Sequence, residues 1–403
     1  MARGIASEGA FDPEASRTSL VTPRALLGNV LAPEPLGRAA VVFEESRILE
    51  VVRDPRHADL PRDVREVEGF ICPGFVDLQI NGSFGVNVGP DGEALRCLAR
   101  ELPRTGTTSF LPTLVSSPEA TYPAFLEALS GATNVPGARM LGAHLEGPFL
   151  SPLRKGAHDL ANLMPIDLDL IRALAGSGLV SMMTLAPELP RAREAIRLLL
   201  EEGIVPSAGH TDATYEQLAH AVDAGLGTGT HLYNAMSPLG HRAPGVVGAL
   251  LSDRRTHVGI IADGVHVHEA ALEIAYRQKG ADALALVTDA MEAAGMPDGE
   301  YELGDRKVRL EAGAVRTPEG SLAGSVLTMD AALRNAVRFL NVPLPEALRM
   351  TTSTPAAILG LPAKGRITPG ADADLVVLGE EVEARETLVA GRTVYVSPEN
   401  VAR

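Results

Sequence analysis

Cysteine is scarce in this 403-residue chain, which contains only Cys72 and Cys97, and tryptophan is absent. Two thiols are too few for a disulfide framework, and their spacing is not that of a zinc knuckle. We therefore expect two free core thiols in a protein that works in the reducing cytoplasm.

The chain also lacks an excess of basic residues, because 36 Lys and Arg stand against 51 Asp and Glu and give a net charge of -15. Nucleic acids and anionic membranes are bound by clustered Lys and Arg, so this balance argues against both partners. No run approaches the roughly 20 apolar residues of a membrane span, and the first residues have no apolar stretch of the secretory type. Any anionic substrate must therefore meet a local basic site.

What the chain does contain is ordinary globular material, with 45% hydrophobic and 22% charged residues. That is enough for a sizeable core. The length fits one α/β barrel of about 250 residues together with a smaller domain. Residues 1–20 are polar and without periodicity, which predicts a flexible N-terminal tail.

Short β-type runs separated by turn residues occupy both ends of the chain. They lie at residues 39–43, 48–52, 373–378 and 392–396. This distribution predicts that residues 21–72 and 365–403 together form a small β-sandwich domain, into which residues 73–364 are inserted. Two independent domains in sequence order is the alternative.

The middle of the chain alternates eight β-type runs with helix-forming stretches. The runs lie at residues 75–80, 108–115, 140–147, 180–187, 204–211, 228–235, 257–263 and 283–289. Two of the intervening stretches, residues 191–200 and 214–222, are amphipathic and are followed by glycine. Eight strands alternating with helices predict an α/β fold of the (β/α)8 TIM-barrel type for residues 73–364.

Polar side chains that can carry chemistry stand at the ends of four predicted strands. They are Glu146, His210, His231 and Asp289. Active sites of such barrels lie at the C-terminal strand ends, so we expect these side chains to meet in one mouth. Two imidazoles with carboxylates suit a divalent ion such as zinc, and three protein ligands with one open position is the catalytic arrangement.

Ordered motifs along the barrel resemble the N-acetylglucosamine-6-phosphate deacetylase family of the amidohydrolase superfamily. They are PGFVDLQING at 73–82, HLEGPF at 144–149, SAGHT at 207–211, THLYNAM at 230–236, ADGVH at 262–266, VTDA at 287–290 and SLAGS at 321–325. The resemblance extends over about residues 22–398 and implies the amidohydrolase type of barrel. So many motifs in one order make it specific.

The resemblance implies that Glu146, His210 and His231 bind a metal ion and that Asp289 is the general base, later the general acid. Many amidohydrolases carry a His-x-His pair on the first strand, where this chain has Gln79 and Asn81. One divalent ion per subunit is therefore expected, Zn²⁺ by default, with Fe²⁺, Co²⁺ or Mn²⁺ as alternatives. The same two residues weigh against a dihydroorotase-like or hydantoinase-like enzyme.

The resemblance further implies a set of substrate contacts. They are Ala157, His158, Asn234, Ala235, Arg242, His266, Leu322, Ala323 and Gly324. Within this set Arg242 would be the principal phosphate anchor, His158 would donate a hydrogen bond to the oxyanion, and Leu322 would form an apolar wall.

The activity implied by the resemblance is hydrolysis of N-acetyl-D-glucosamine 6-phosphate to D-glucosamine 6-phosphate and acetate, by a homodimer. The galactosamine epimer of the substrate is the alternative, since it differs in the orientation of one hydroxyl. A non-enzymatic sugar-phosphate-binding protein on the same barrel is a minor alternative. Such a protein would be expected to have lost at least one of Glu146, His210, His231 and Asp289, and all four are present.

Overall fold

The computed structural model describes residues 22–133 and 135–401, so the predicted tail of residues 1–20 lies outside the described residues. Four strands come first. They are β1 (Arg24–Leu31), β2 (Pro35–Glu44), β3 (Arg47–Arg53) and β4 (Asp63–Pro73). Strand β1 pairs antiparallel with β2 and parallel with β4, and β2 pairs antiparallel with β3. The strands bury their apolar runs, such as the stretch at residues 39–43.

The next strands build the barrel. They are β5 (Phe75–Ile80), β6 (Gly82–Ser83), β7 (Val86–Asn87), β8 (Thr107–Val115), β9 (Arg139–Met140), β10 (Ala143–Glu146), β11 (Val180–Leu185), β12 (Val205–Ala208), β13 (Thr228–Gly229), β14 (His257–Ile260) and β15 (Leu284–Leu286). Eight of them, β5, β8 and β10–β15, lie side by side in sequence order, and each neighbouring pair is parallel. A parallel bridge between Ile80 and Ala290 links the first strand to the segment after the last. The predicted barrel is confirmed.

Helices alternate with these strands and continue beyond them. They are α1 (Gly92–Glu101), α2 (Thr121–Gly131), α3 (Leu168–Ala175), α4 (Ala192–Glu201), α5 (Tyr215–Asp223), α6 (Gly245–Ser252), α7 (Glu269–Lys279), α8 (Met329–Leu340), α9 (Leu344–Thr351), α10 (Ser353–Ile358) and α11 (Pro398–Val401). Short 3-10 turns lie at His57–Asp59, Leu102–Thr105, Pro152–Arg154 and Leu160–Asn162. Helix α5 begins with a reciprocal capping box between Thr214 and Gln217, which satisfies donors at the helix start. No helix within the described ranges is long and apolar enough to cross a membrane.

A small antiparallel sheet follows the eighth barrel strand. It consists of β16 (Gly299–Leu303), β17 (Arg306–Glu311) and β18 (Ala314–Arg316). Leu303 pairs with Arg306, so only Gly304 and Asp305 form the turn between the first two strands. The sheet has its own buried cluster, in which Leu303 and Leu310 pack with residues such as Met291. It thereby adds a separate wall beside the end of the barrel.

The chain finally returns to the first sheet through β19 (Leu375–Leu378), β20 (Ala384–Val389) and β21 (Arg392–Val396). Strand β19 pairs with β4, so the seven strands run in the order β21-β20-β19-β4-β1-β2-β3. Phe43 and Ile71 from the N-terminal part pack with Leu375 and Leu388 from the C-terminal part. The prediction that both chain ends build one small β domain is confirmed, while its boundaries at residues 72 and 365 stay a prediction.

Candidate active site

The four predicted strand-end side chains meet at one end of the barrel. Glu146 is the last residue of β10, and His210, His231 and Asp289 follow β12, β13 and β15. Each is at most 7% exposed, and all four line one cavity of about 400 Å³. The barrel thus gathers residues that lie far apart in sequence around a single cavity.

Backbone strain is concentrated at these positions. The φ angles of His210, His231 and Asp289 are 47°, 33° and 47°, in the left-handed region that non-glycine residues rarely adopt. Backbone hydrogen bonds hold the turns, among them Asp289 N to the Gln79 carbonyl at 2.8 Å. The strands β12, β13 and β15 therefore end before His210, His231 and Asp289, which is shorter than the predicted runs.

Three of the side chains, Glu146, His210 and His231, converge as a candidate metal centre. Their ligand atoms all lie within 4.8 Å of one another. The Nε2 atoms of His210 and His231 are 3.2 Å and 2.9 Å from Glu146 Oε1, and 3.1 Å from each other. One carboxylate and two imidazoles converging in this way are a donor set that suits a catalytic divalent ion.

The tautomer of His210 is fixed by its second nitrogen. His210 Nδ1 lies 2.9 Å from the carbonyl oxygen of Arg154, which can only accept a hydrogen bond. Nδ1 therefore carries the proton, and the lone pair of Nε2 faces the oxygen of Glu146. Two lone pairs directed at each other call for a cation between them, so the residues fit a bound metal.

Charge at the cluster supports the same conclusion. Burial alone would raise the pKa of Glu146, but the neighbouring imidazoles of His210 and His231 hold it well below its ordinary range. Burial alone would lower the pKa of His231, but its interaction with Glu146 raises it. The carboxylate is therefore ionised, which is the form that binds metal.

Asp289 lies beside the cluster and is held by two side-chain amides, Gln79 on β5 and Asn81 directly after it. Its Oδ1 accepts from Asn81 Nδ2 at 2.7 Å and from Gln79 Nε2 at 3.1 Å. Gln79 Nε2 also donates to Glu146 Oε1 at 3.0 Å. Burial, and after it the charge of Glu146, raises the pKa of Asp289 to about 7. A carboxylate with such a pKa is well matched to accept and return a proton near neutral pH.

His158 reaches the same cavity from the loop after β10. The backbone N–H of Ser116 donates to His158 Nδ1 at 3.2 Å, so the ring proton is on Nε2, which lies 4.0 Å from Glu146 Oε2. Burial, with His210 beside the ring, lowers the pKa of His158 to about 3. His158 is therefore a neutral imidazole that presents an N–H donor to the cavity.

Most of the predicted substrate contacts line the cavity, namely Ala157, His158, Asn234, Ala235, His266, Leu322 and Gly324. His266 is oriented by Asp263, whose Oδ2 lies 2.6 Å from His266 Nδ1. The other carboxylate oxygen of Asp263 accepts the backbone N–H groups of Val265 and His266. The second ring nitrogen of His266 is thus left for a ligand.

Two residues of the predicted set do not line this cavity. Ala323 is fully buried and packs in the core of the β16–β18 sheet. Arg242 is exposed and lies in the loop before α6, outside the cavity lining.

The β16–β18 sheet contributes cavity residues that no sequence motif indicated. Leu303, Asp305 and Arg306 line the cavity at the turn between β16 and β17. A Gly-Asp pair between two β-type runs is a hairpin signal that the sequence does contain. That signal locates a hairpin but not the cavity that it reaches.

Residues 70–394 match the sequence profile of the amidohydrolase family. The chain is 41% identical to an N-acetylglucosamine-6-phosphate deacetylase of Lysinibacillus sphaericus, over 82% of this chain and 87% of that protein. It is 39% identical to an N-acetylgalactosamine-6-phosphate deacetylase of Escherichia coli O157:H7, over 83% of this chain and 90% of that protein.

A solved structure agrees with these sequence matches. A mutant N-acetyl-D-glucosamine-6-phosphate deacetylase of Mycobacterium smegmatis, in complex with N-acetyl-D-glucosamine-6-phosphate, is 34% identical with a TM-score of 0.86. The match covers 93% of this chain and 100% of that one. The chain therefore belongs to the amidohydrolase family and, within it, to the N-acetylglucosamine-6-phosphate deacetylase group.

Proposed function

We propose that this protein hydrolyses N-acetyl-D-glucosamine 6-phosphate to D-glucosamine 6-phosphate and acetate. The observation that carries the proposal is the convergence of Glu146, His210, His231 and Asp289 in one buried cavity. The group to which the chain belongs supplies the substrate class. A cavity of about 400 Å³ is of the size that small-molecule sites have.

Glu146, His210 and His231 would hold one divalent ion, with Zn²⁺ as the first choice and Fe²⁺, Co²⁺ or Mn²⁺ as alternatives. When bound, such an ion lowers the pKa of water and polarises the amide carbonyl. Gln79 and Asn81 already donate hydrogen bonds to the carboxylates, and neutral amides are poor metal ligands. This supports a single ion per subunit.

Asp289 would move the proton in the reaction. As water adds to the amide carbonyl, one oxygen of Asp289 takes a proton from it, and the same carboxyl returns the proton to the amine nitrogen when the C–N bond breaks. Its Oδ1 is occupied by Asn81 and Gln79, so Oδ2 is the oxygen left for this task. The products are then the amine and acetic acid, which ionises to acetate.

His158 would stabilise the charge that develops on the amide oxygen. Its Nε2–H donor faces the cavity, and the fixed tautomer means that no proton must be rearranged first. Ala157 and Gly324 line the same cavity, and Leu322 would provide the apolar side against which a small acetyl group packs.

Asn234, the backbone at Ala235 and His266 also line the cavity and would receive the sugar phosphate. Arg242 is exposed and outside this cavity. We therefore propose that in a homodimer the Arg242 guanidinium anchors the phosphate bound by the neighbouring subunit. Mixing inactive R242A and D289N subunits would restore activity if Arg242 acts in this way, and no recovery would exclude it.

Exposed apolar side chains around the cavity mouth support the homodimer. Leu153, Leu160, Leu239 and Val265 are 43–77% exposed, and all lie on loops after the strands β10, β13 and β14. Apolar groups grouped on one face of a protein commonly mark an interface.

We place the enzyme in the cytoplasm, because Cys72 and Cys97 are free and the substrate is a phosphorylated metabolite.

N-acetylgalactosamine 6-phosphate is the second candidate substrate, because the Escherichia coli relative acts on that epimer by its name and is almost equally similar. Parallel kinetics on the two sugar phosphates would decide between them. A higher kcat/KM on the galactosamine epimer would replace the first proposal.

The decisive experiment is acetate release by the purified protein with bound metal quantified. N-acetylglucosamine 6-phosphate and unphosphorylated N-acetylglucosamine are compared side by side. Rapid release from the phosphate alone, with about one metal per chain, is expected. Equal rates would contradict the phosphate site, and no release with metal bound would contradict the deacetylation.

A further inference from the structure

Arg306 joins the β16–β18 sheet to the loop that carries His158. It is the first residue of β17, directly after the two-residue turn, and its side chain is only 20% exposed. Its Nη1 donates to the carbonyl oxygen of Ala157 at 3.1 Å, with the carbonyl oxygen of His158 at 3.5 Å. Its Nη2 pairs with both carboxylate oxygens of Glu319 at 2.9 Å and 3.0 Å.

The loop that receives these hydrogen bonds has little regular structure of its own. Between β10 and α3 it contains only two 3-10 turns of three residues each. Another side chain reaches the same backbone, since Lys155 Nζ lies 3.4 Å from the His158 carbonyl, but it belongs to the loop itself. Arg306 therefore ties the loop to a separately packed element.

Apolar packing also holds the loop against the β16–β18 sheet. Ala157 contacts the buried cluster of the β16–β18 sheet, so the segment is held by apolar contact on one side and by the guanidinium on its carbonyls. Arginine suits this role because its planar fork keeps one nitrogen on the carbonyls while the other holds Glu319. The ion pair with Glu319 fixes the plane of the fork.

Arg306 would affect the reacting centre through His158. His158 carries the Nε2–H donor, and that nitrogen lies 4.0 Å from Glu146 Oε2. We propose that Arg306 is a positioning residue, which fixes the Ala157–His158 segment so that this donor faces the amide oxygen. The inference rests on the proposed deacetylation, in which His158 acts on the substrate.

The test compares R306Q and R306K with two control variants. R316Q removes a guanidinium of the same sheet that donates to the Gly320 carbonyl at 3.0 Å and does not line the cavity. E319Q keeps the hydrogen bonds of Arg306 to the loop but removes its ion pair. The measurements are kcat and KM for N-acetylglucosamine 6-phosphate, bound metal, and amide hydrogen exchange of residues 155–162.

For R306Q we expect kcat to fall about 10- to 100-fold, because small misplacements of catalytic groups have effects of this size. KM should change little, metal content should be unchanged and exchange in residues 155–162 should be faster. R306K should be intermediate, E319Q milder still, and R316Q should match the unaltered protein. A merely structural role would lower thermal stability without this separation of kcat from KM.

Other outcomes overturn the inference in distinct ways. If R306Q and R316Q have the same kcat, or if exchange of residues 155–162 is unchanged in R306Q, Arg306 does not position the segment. If R306Q is poorly folded, R306K decides by the same criteria. Hydrogen exchange needs no substrate, so failure of the inference is distinguishable from failure of the unaltered protein to release acetate.

Discussion

Asn81 Nδ2 donates to Asp289 Oδ1 at 2.7 Å, and Gln79 Nε2 donates to the same oxygen at 3.1 Å. Asp289 Oδ1 is therefore occupied by two amide N–H donors, which cannot accept a proton from it. The other oxygen is left for the substrate side. The amides of Gln79, on β5, and Asn81, directly after it, thus determine which atom of Asp289 can act as the base.

The first prediction concerns Asp289 itself. D289N should lower kcat about 10²- to 10⁴-fold, because an amide cannot take the proton from water or return it to the amine. Substrate affinity by calorimetry and metal content should change only a few-fold. D282N, at an exposed carboxylate paired with Arg349, is the matched control and should retain activity. A D289N protein with more than about a tenth of the original kcat would exclude Asp289 as the main base.

The positions of the ligands could be predicted from the sequence because a parallel barrel orders its strand ends by simple rules. Once the eight runs are recognised, Glu146, His210, His231 and Asp289 must lie at one end. The positive φ angles of His210, His231 and Asp289 were not predictable, since propensity would give ordinary β geometry to a residue that follows a β-type run. Tertiary hydrogen bonds impose those angles.

Contacts between distant segments escaped the sequence analysis for a different reason. Arg306 and Ala157 are separated by 149 positions, and no periodic pattern joins them. The tautomer of His158 likewise depends on the backbone N–H of Ser116, a group that does not distinguish serine from most other residues. Such details follow only from how the loops pack at the mouth.

The second prediction concerns the residues that orient His210. Arg154, whose carbonyl accepts from His210 Nδ1, is held by an ion pair of 2.7 Å with Asp212. D212N should weaken metal binding about 10- to 100-fold, the range known for residues that orient metal ligands. Competition with a chelator measures this without substrate. D169N, in an exposed ion pair with Arg172, should leave the metal affinity unchanged. Equal affinities of D212N and D169N would contradict the argument.

The third prediction is a pH dependence of stability. Burial raises the pKa of Asp77 from 3.8 to about 6, against hydrogen bonds from Thr288 and Gln79 that lower it. The native state therefore binds this proton more tightly than the unfolded chain, and stability decreases as pH rises from about 3.8 to about 6. Between about pH 5 and about pH 7.5 the protein should lose about 1.4 kcal/mol relative to D77N.

Urea unfolding of both proteins at the two pH values measures that difference. D77N also loses hydrogen-bond acceptors, which lowers its free energy of unfolding by an amount that does not depend on pH. Comparing how the free energy of unfolding changes with pH removes that constant difference. D298N, at an exposed aspartate, should run parallel to the unaltered protein. If D77N also runs parallel, Asp77 is ionised in the native state throughout this range.

The last prediction concerns the buried ion cluster beside the small β domain. Lys364 Nζ lies 2.6 Å from Asp374 Oδ2 and 3.0 Å from Asp372 Oδ2, and all three side chains are at most 8% exposed. Asp372 also pairs with Arg47 of β3 and Arg139 of β9, so the cluster links the two chain ends to the barrel. Asp372 thus has three cationic partners among these contacts, whereas Asp374 has one, Lys364.

K364M should destabilise the protein by about 3–5 kcal/mol, because removing one partner leaves a buried carboxylate without compensation. The double variant K364M/D374L should recover part of the loss, since replacing both members of a buried pair with apolar groups is often nearly neutral. R172Q, in an exposed pair, should cost less than about 1 kcal/mol. Unfolding midpoints in urea measure all three. If K364M is as mild as R172Q, or the double variant adds to the loss, the cluster stabilises the junction by packing and not by charge pairing.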